Sequence, residues 1–311
     1  MNTTIIDQFS KLVKHIKYSP DKSTSNKFRL KQTIKILEIL KKYDKKITSG
    51  EQLKDIKGIG KGTIDRINEI LDKGYLSEIV EDQENYKAYE ELEQIFGIGK
   101  SYAKVLVEKH KIKSIKQLKD AIKQNKITVP HHVSLGLKYN NAIKQMIPRE
   151  ELDQINKYLK SIVGNYTFEI CGSYRRGKSM SSDIDILLTS KTNVLKEFVN
   201  KLKSNNFIIE DLDENFEVKY MGFAKLLNIR RIDIMYVPTE SYPTALLHYT
   251  GSGSFNQKIR EVAKELGYML NQYGLYTLNK NGDKDKRIIV KDEKDIFNKL
   301  GMEYLEPNLR N

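Results

Sequence analysis

Apolar positions in the first part of the chain recur at helical spacing. In KFRLKQTIKILEILKKY, Phe28, Ile34, Leu37 and Leu40 fall at helical intervals, while lysines occupy the other positions. This pattern continues, with interruptions at turn residues, to about residue 150. It predicts an amino-terminal region built of short amphipathic helices.

From about residue 165 the spacing of apolar positions changes from helical to alternating. This predicts strands in TFEICGSY, SDIDILLTS, FEVKYMGFAKLL and IRRIDIMYVP, with a helix in NVLKEFVNKLKSNN between the second and third. The order of strand, strand, helix and strands predicts a mixed sheet with helices on one side. After Pro238 the pattern predicts short helices and turns.

One segment of the helical region occurs twice. DIKGIGKGTIDRI at residues 55–67 returns as QIFGIGKSYAKVL at residues 94–106, with Gly58 and Gly97 39 positions apart. Two glycines let the backbone turn sharply, so that amide groups at the start of the next helix can face a phosphate. One such turn is an ordinary helix connection. Two in the same register predict nucleic-acid binding.

The charge distribution supports this interpretation. The net charge is +13, and residues 1–150 hold 30 basic against 19 acidic residues, whereas residues 151–311 hold 24 against 22. The amino-terminal half is therefore the better candidate for a polyanion surface. A lysine-rich composition of an AT-rich genome is the alternative explanation for part of this charge.

Other features of the composition exclude several classes of protein. The single cysteine, Cys171, excludes a disulfide framework and an all-cysteine zinc site. No apolar run approaches the roughly 18 residues that span a bilayer, so we expect no membrane partner. The first residues, MNTTIIDQFS, lack the pattern of a secretory signal, and we expect a protein that is not secreted.

The alternating segments bring acidic residues together. Residues two apart on a strand share a face, so Asp183 and Asp185 point the same way, and Asp233 lies opposite Ile232 and Ile234. If these strands are neighbours, three carboxylates converge, which is costly without a cation. Oxygen ligands without Cys or His suit Mg²⁺, including a pair of ions about 3.5–4 Å apart.

Phosphate-binding groups precede the carboxylates in GSYRRGKSMSSDIDILL. Gly172, Ser173, Arg176, Ser181 and Ser182 offer backbone amides, hydroxyls and a guanidinium, all suited to phosphate oxygens. Such donors leading directly into a metal-binding carboxylate pair predict nucleotidyl transfer.

These motifs together resemble those of a family X DNA polymerase of the beta type. GSYRRGKSMSSDIDILL, RRIDI, LHYTGSGSFN, IPREE and the paired hairpins extend the resemblance over essentially the whole chain. It implies an α+β fold: a helical amino-terminal domain with two helix-hairpin-helix motifs, a nucleotidyltransferase palm with a mixed β-sheet, and a small carboxy-terminal α+β subdomain. The implied divisions are a lyase-like domain, a DNA-binding subdomain, the palm and a nucleotide-selection subdomain, at residues 1–80, 81–145, 146–238 and 239–311.

The resemblance also implies roles for individual residues. The metal ligands and catalytic residues would be Asp183, Asp185 and Asp233, the last also taking up the primer 3′-OH proton directly or through water. The incoming nucleotide would contact Arg149, Ser173, Arg176, Ser182, His248, Tyr249, Gly251 and Asn256. DNA would contact Gly58, Gly60, Arg66, Gly97, Gly99, Lys100, Arg231 and Arg260. A monovalent cation in each hairpin would bind backbone oxygens of Lys54, Ile56 and Ile59, and of Glu93, Ile95 and Ile98.

The cofactors and partners implied by the resemblance follow from these roles. They are two Mg²⁺ ions, with Mn²⁺ as a substitute, and Na⁺ or K⁺ at the hairpins. The substrates would be dNTPs and gapped or nicked double-stranded DNA, bound by a monomer with a repair ligase as a partner. We expect a nuclear protein if the source is a eukaryote, and a protein of the virion or of a cytoplasmic replication site if it is viral.

Four positions depart from the beta-type pattern. His248 replaces a tyrosine, Gly253 an aspartate expected to stack over the incoming base, Gln272 a glutamate that organises the closed state, and Met235 an arginine. These departures affect the expected fidelity and closing behaviour, and not the reaction.

A further departure concerns the 5′-deoxyribose-phosphate lyase activity of beta-type members. Arg66 stands where a lysine forms the Schiff base, and a guanidinium stays protonated because its pKa exceeds 12. Gly62 and Thr33 also replace a lysine and a tyrosine. The nearest lysines, Lys73 and Lys61, lie too far along or around the helix. We therefore expect weak or absent lyase activity.

Three functions remain open at this point. The favoured one is template-directed filling of short gaps. A template-independent or RNA-directed nucleotidyltransferase would make poor use of hairpins that grip a duplex. A non-catalytic DNA-binding scaffold would not need all three aspartates.

Overall fold

The computed structural model describes residues 2–19, 21–79, 83–213 and 215–310. The chain divides into two compact units, Met1–Thr128 and Val129–Asn311. Within the described ranges, every helix is too short or too polar to cross a membrane.

The first unit is helical, as predicted. Its helices are α1 (Thr3–Tyr18), α2 (Thr24–Lys42), α3 (Lys61–Lys73), α4 (Gln83–Leu92), α5 (Lys100–Glu108) and α6 (Ile115–Lys123), with a 3₁₀ turn at Gly50–Leu53. Local signals set several of these ends. The Ser23 and Ser114 side chains accept hydrogen bonds from backbone amides at the starts of α2 and α6. Helix α3 ends at Gly74, which has φ of 81°.

The predicted apolar face of α2 is only half right. Leu37 and Leu40 are buried, but Phe28 and Ile34 are 63% and 40% exposed. The buried stripe runs instead through Thr33, Leu37 and Leu40, at i, i+4 and i+7, which places Phe28 and Ile34 beside it.

The second unit begins with the predicted mixed sheet. Its first elements are α7 (His131–Lys138), α8 (Asn140–Lys144), β1 (Ile147–Pro148), α9 (Arg149–Val163), β2 (Thr167–Ile170), α10 (Gly172–Arg175), β3 (Met180–Ser181), β4 (Ile184–Ser190), α11 (Leu195–Ser204), β5 (Ile208–Asp211), β6 (Lys219–Lys225) and β7 (Ile229–Pro238). Five strands form a sheet in the order β2-β4-β7-β6-β5, in which only the β4–β7 pair is parallel. The short strands β1 and β3 pair separately.

Helices cover both faces of this sheet, so the prediction of helices on one side is wrong. One face packs against α9 and α11 through a core that includes Ile186, Ile234 and Phe198. On the other face Leu187 and Val237 pack against the next helix, α12 (Tyr242–Thr250). The unbroken apolar run after Asp185 is typical of a strand that is buried on both faces.

The remainder of the second unit is a small α+β region, as the resemblance implied. After α12 come α13 (Gly253–Glu265), β8 (Tyr268–Asn271), β9 (Gly274–Leu278), β10 (Lys284–Ile288) and α14 (Glu293–Lys299). Strands β8, β9 and β10 form an antiparallel sheet. The pattern of short helices and turns missed this sheet, whose strands are only four or five residues long and whose edge strand β10, KDKRI, is almost entirely charged and exposed.

Candidate active site

The three aspartates lie together at one end of the central sheet. In the parallel β4–β7 pair, Asp185 is directly opposite Asp233, and Asp183 immediately precedes β4. The intervening residues Ile184 and Ile232 are completely buried on the opposite face. The strands are thus neighbours, as the convergence of the carboxylates required.

Basic side chains surround two of these carboxylates. Arg231 forms ion pairs with Asp183 and, through Nε at 3.6 Å, with Asp233 Oδ1. Lys219 Nζ lies 3.3 Å from Asp233 Oδ2. Burial, followed by the charge of Asp233, raises the pKa of Asp185 to about 6. The nearby basic side chains therefore do not fully offset the burial of Asp185 and its repulsion from Asp233.

Close packing fixes the position of Asp185. Gly172 has φ of +57°, and a Cβ atom there would overlap the Asp185 carboxylate. The Cys171 amide also donates to the Asp185 carbonyl oxygen at 2.8 Å. Only glycine tolerates both the positive φ and the close approach of the carboxylate at position 172. Strand β2 ends at Ile170, before this turn, and is therefore shorter than the TFEICGSY pattern predicts.

The predicted phosphate-binding side chains line the same cavity. Ser173, Arg176 and Ser182 surround a space of about 440 Å³ together with the aspartates Asp183 and Asp185. Arg176 Nη1 donates to the Thr250 carbonyl at 2.5 Å, and its buried Nε donates no hydrogen bond within the described part of the chain. Ser182 Oγ donates to Asp183 Oδ1 at 2.9 Å, so here it faces a carboxylate.

Arg149 stands at the edge of this region and is absent from the cavity wall. It is the first residue of α9, and its Nη1 donates to the Tyr174 carbonyl at 2.9 Å. Its guanidinium carbon lies 4.5 Å from the centre of the Tyr174 ring. The side chain is thus held against the turn that carries Ser173.

The predicted sugar and base contacts form another part of the cavity wall. His248, Tyr249, Gly251 and Asn256 all line it. Asn256 Nδ2 donates to the His248 carbonyl at 2.7 Å, and Arg260 Nη2 lies 3.0 Å from His248 Nδ1. Burial, and then the Arg260 charge, lower the pKa of His248. The neutral His248 ring therefore accepts a hydrogen bond from Arg260 at its Nδ1 atom.

A buried ion cluster that sequence reasoning missed supports this wall. Arg175 binds Glu293 through both nitrogens, at 3.1 and 2.7 Å, and donates to Thr250 Oγ1 at 2.6 Å. Arg310 Nη1 binds the same carboxylate at 2.5 Å. The two arginines of GSYRRG thus diverge: Arg176 faces the cavity and Arg175 ties α10 to α14. No local pattern could reveal a partner 118 residues away.

The two predicted hairpins adopt the same conformation in the first unit. Gly58 and Gly97 have φ of 101° and 88°. The Ile59 amide donates to the Ile56 carbonyl, and the Ile98 amide donates to the Ile95 carbonyl, each at 3.0 Å.

In both hairpins the second glycine, Gly60 or Gly99, is the extended residue before a helix, and Lys61 or Lys100 is the first helical residue. The predicted cation ligands Lys54, Ile56, Ile59, Glu93, Ile95 and Ile98 belong to these two turns. Arg66, one turn into α3, forms an ion pair with Glu78.

The carboxylate centre fits a divalent cation by its chemistry. Asp233 Oδ1 is buried and accepts no hydrogen bond from the described residues, and the ionised forms of Asp185 and Asp233 oppose each other. A hard cation would satisfy both demands. Within the described ranges no three acidic, His or Cys side chains already surround one point. Asp183 and Asp233 are instead paired with Arg231 and Lys219.

Sequence models of known domains match three parts of the chain. A helix-hairpin-helix domain matches residues 1–76, the DNA polymerase beta palm matches residues 146–239, and the DNA polymerase beta thumb matches residues 245–311.

Three curated relatives and one solved structure are similar over most of the chain. DNA polymerase lambda of Arabidopsis thaliana is 33% identical over 308 residues, covering 89% of this chain and 57% of the relative. DNA polymerase lambda of Rattus norvegicus is 28% identical over 305 residues, covering 91% and 52%. DNA nucleotidylexotransferase of Xenopus laevis is 25% identical over 359 residues, covering 100% and 68%. The chain thus spans little more than half the length of the two lambda sequences.

The similar solved structure is the ternary P/T complex of Leishmania infantum polymerase beta. It aligns with a TM-score of 0.67 and 30% identity, covering 74% of this chain and all of that one.

Proposed function

The chain belongs to the family X DNA polymerases, and on that premise we propose that it is a DNA-directed DNA polymerase that fills short gaps from dNTPs. The observation that carries the proposal is the cavity in which Asp183 and Asp185 lie beside Ser173 and Arg176. Metal-binding carboxylates and triphosphate donors around one space are what nucleotidyl transfer requires.

Each carboxylate has a proposed task. Asp183 and Asp185 would hold two Mg²⁺ ions and Asp233 one of them. The bound ions would promote ionisation of the primer 3′-OH and offset the charge of the leaving pyrophosphate. Asp233 Oδ1, which accepts no hydrogen bond from the described residues, takes up the 3′-OH proton directly or through water. The 3′ oxygen then attacks the α-phosphorus in line, and the bond to pyrophosphate breaks.

Side chains in and beside the cavity position the nucleotide. Ser173 and Arg176 of the cavity wall hold the triphosphate together with Arg149 at its edge, and the buried Nε of Arg176 retains donor capacity for it. His248 and Tyr249 line the sugar. This arrangement keeps the phosphates next to the carboxylates.

Two contacts must change before the base pair is read. Asn256 donates to the His248 carbonyl and Arg260 contacts the His248 ring. Asn256 reaches the base edge, and Arg260 the template strand, only after leaving these contacts. His248 therefore couples the sugar wall to the template contact.

The paired hairpins supply the grip on gapped DNA. The amides that begin α3 and α5 would face phosphates, and the carbonyls of the two turns would hold Na⁺ or K⁺, which would offset the phosphate charge. The lysine excess of the first 150 residues adds a non-specific attraction for DNA.

The same unit has little capacity for Schiff-base chemistry. Arg66 is engaged by Glu78, and Lys73 Nζ is bonded to Glu69 at 3.2 Å and Ser77 at 3.3 Å. A Schiff base requires a lysine amine free to attack the sugar aldehyde, whereas the Lys73 nitrogen is engaged by Glu69 and Ser77. We include weak or absent lyase activity in the proposal.

A second candidate function has a specific observation in its favour. The match to Xenopus laevis DNA nucleotidylexotransferase, which covers the whole of this chain and 68% of that relative, supports template-independent addition as the second candidate. This alternative predicts extension of a single strand without a template, whereas the favoured function predicts that each added nucleotide is complementary to the gap.

Extension of a one-nucleotide gapped duplex, with one dNTP supplied at a time, tests the proposal. We expect Mg²⁺-dependent incorporation of the complementary nucleotide alone. Asp233→Ala should lose at least about a hundredfold in rate, as removal of a proton acceptor and metal ligand predicts. Asp213→Ala, at an exposed aspartate of the same unit, is the control. Near-wild-type extension by Asp233→Ala would overturn the site assignment.

A further inference from the structure

Two arginines of the first unit converge on one carboxylate. Arg29 Nη2, from α2, lies 2.5 Å from Glu78 Oε2, and Arg66 Nε, from α3, binds Glu78 Oε1. The three side chains are 43%, 33% and 32% exposed, in the order Arg29, Arg66 and Glu78, so dissolved ligands can reach them. Two guanidinium groups that each take one oxygen of an anion also suit a terminal phosphate.

This arginine pair adjoins the first hairpin. Arg66 Nη1 donates to the Gly62 carbonyl at 3.0 Å, and Gly62 is the second residue of α3. A Cβ atom at Gly62 would lie 3.4 Å from the same Nη1. The Arg66 guanidinium therefore rests on the first turn of α3, where the helix presents amide donors without intrahelical partners. The hairpin and the arginine pair form one anion-binding region.

Glu78 is held in this region as an ionised group. The preceding residue, Ser77, donates through its amide at 3.1 Å and its hydroxyl at 2.5 Å to Glu69, which anchors the segment. Burial opposes ionisation of Glu78, but Arg66 and then Arg29 outweigh it and lower the pKa of the carboxyl. Glu78 thus keeps its charge at neutral pH and neutralises half of the arginine pair.

We propose that Glu78 is an internal competitor for the 5′-terminal phosphate of the downstream DNA strand. Its carboxylate occupies Arg29 and Arg66 in the free protein and leaves them when a phosphate arrives. The inference rests on the proposed gap-filling function, in which the hairpins of this unit grip the gapped DNA that carries such an end. Glu78 therefore sets how strongly the protein distinguishes a phosphorylated gap from a gap with a 5′-hydroxyl.

The test is the ratio of two dissociation constants measured by fluorescence anisotropy. One-nucleotide gapped duplexes carry either a 5′-phosphate or a 5′-hydroxyl on the downstream strand. In Glu78→Gln the preference for the phosphate should rise about fivefold, the upper range for a partly exposed ion pair. Glu38→Gln removes the same charge from an exposed site on α2 and should leave the ratio unchanged. An unchanged ratio in Glu78→Gln would overturn the proposal.

Two additional measurements separate competition from a structural role. Adding Arg66→Gln to Glu78→Gln should abolish the gain, because the phosphate then loses its partner. Inorganic phosphate, at ionic strength matched with chloride, should also erase the gain on phosphorylated DNA. If Glu78→Gln changes binding to both duplexes equally, or if its gain survives excess phosphate, Glu78 is not a competitor at this site.

Failure of this inference can be told from failure of the proposed function. Extension of a recessed primer without any downstream strand by the wild-type protein reports polymerase activity alone. Absence of extension counts against the proposed function. Extension together with an unchanged phosphate preference in Glu78→Gln counts against the role of Glu78 only.

Discussion

Replacing Asp185 with asparagine should stabilise the protein when divalent cations are removed. Burial and the charge of Asp233 raise the pKa of the Asp185 carboxyl from 3.8 to about 6 in the folded chain. In the unfolded chain it ionises near the ordinary value of about 3.9. The difference between these pKa values corresponds to about 3 kcal/mol against folding at neutral pH. This is an upper bound, because the cavity beside Asp185 opens to water, and a net effect of about 1–3 kcal/mol is expected.

The pH dependence of this cost has a definite direction. Because the folded pKa lies above the unfolded one, the cost is absent below about pH 4, grows between pH 4 and 6, and is fully present above pH 6. Asparagine is neutral throughout and removes the cost. The advantage of Asp185→Asn should therefore be largest near pH 7.5 and should shrink toward pH 4.

Thermal unfolding in the presence of a chelator measures this effect. Far-ultraviolet circular dichroism is the suitable signal, because the sequence contains no tryptophan. For a unit of about 180 residues, 1 kcal/mol shifts Tm by about 2–4 °C, so a 2 kcal/mol gain raises Tm by about 4–8 °C. Asp213→Asn, at an exposed position, is the matched control. Added Mg²⁺ should stabilise the wild-type protein more than Asp185→Asn, because a cation favours the ionised carboxylate.

Two results would refute this reasoning. The first is an Asp185→Asn protein that unfolds at the same or a lower temperature than the wild type at pH 7.5. The second is an advantage that persists undiminished near pH 4, which would assign the effect to packing and not to charge.

Three other predictions concern the buried ion cluster, DNA binding and the lyase reaction. Glu293→Gln leaves the charges of Arg175 and Arg310 without their carboxylate and should lower the free energy of unfolding by about 3 kcal/mol; an unchanged Tm would contradict this. If four DNA phosphates are neutralised, affinity for gapped DNA should fall about a hundredfold between 50 and 200 mM salt, with a logarithmic slope of about −3.6, and a slope near zero would refute this estimate. Borohydride trapping on an incised abasic substrate should give little adduct; strong cross-linking that is lost in Lys73→Ala or Lys61→Ala would identify a substitute nucleophile.

The arrangement of the three aspartates could be predicted because it depends on local alternation. Asp185 and Asp233 each sit between two buried isoleucines, and Asp183 precedes the first of these isoleucines, so the alternation determines which face the carboxylates take. The parallel pairing that brings Asp185 opposite Asp233 needed the tertiary structure. The strands β5 and β10 escaped prediction because IIED and KDKRI lie at sheet edges, where backbone pairing does not require alternating apolar side chains.

The charged partners of the site could not be predicted for a different reason. Charged residues make up 31% of the sequence, so a particular pair such as Glu78 with Arg66, or Glu293 with Arg175, carries no signal of its own. Such pairs are selected by the packing of distant segments. Motif residues such as Ser173 could be recognised because their neighbours in the sequence are also their neighbours in space.

In the proposed function, the repeated Gly-Ile-Gly-Lys turn would give the amino-terminal unit two binding sites for one DNA molecule. The two copies, at residues 58–61 and 97–100, have the same sequence and the same internal hydrogen bond. Once one turn held a phosphate, the other would meet phosphates of the same DNA molecule at an effective concentration of about millimolar. Each turn could then bind weakly and release quickly while the pair retained the duplex by avidity.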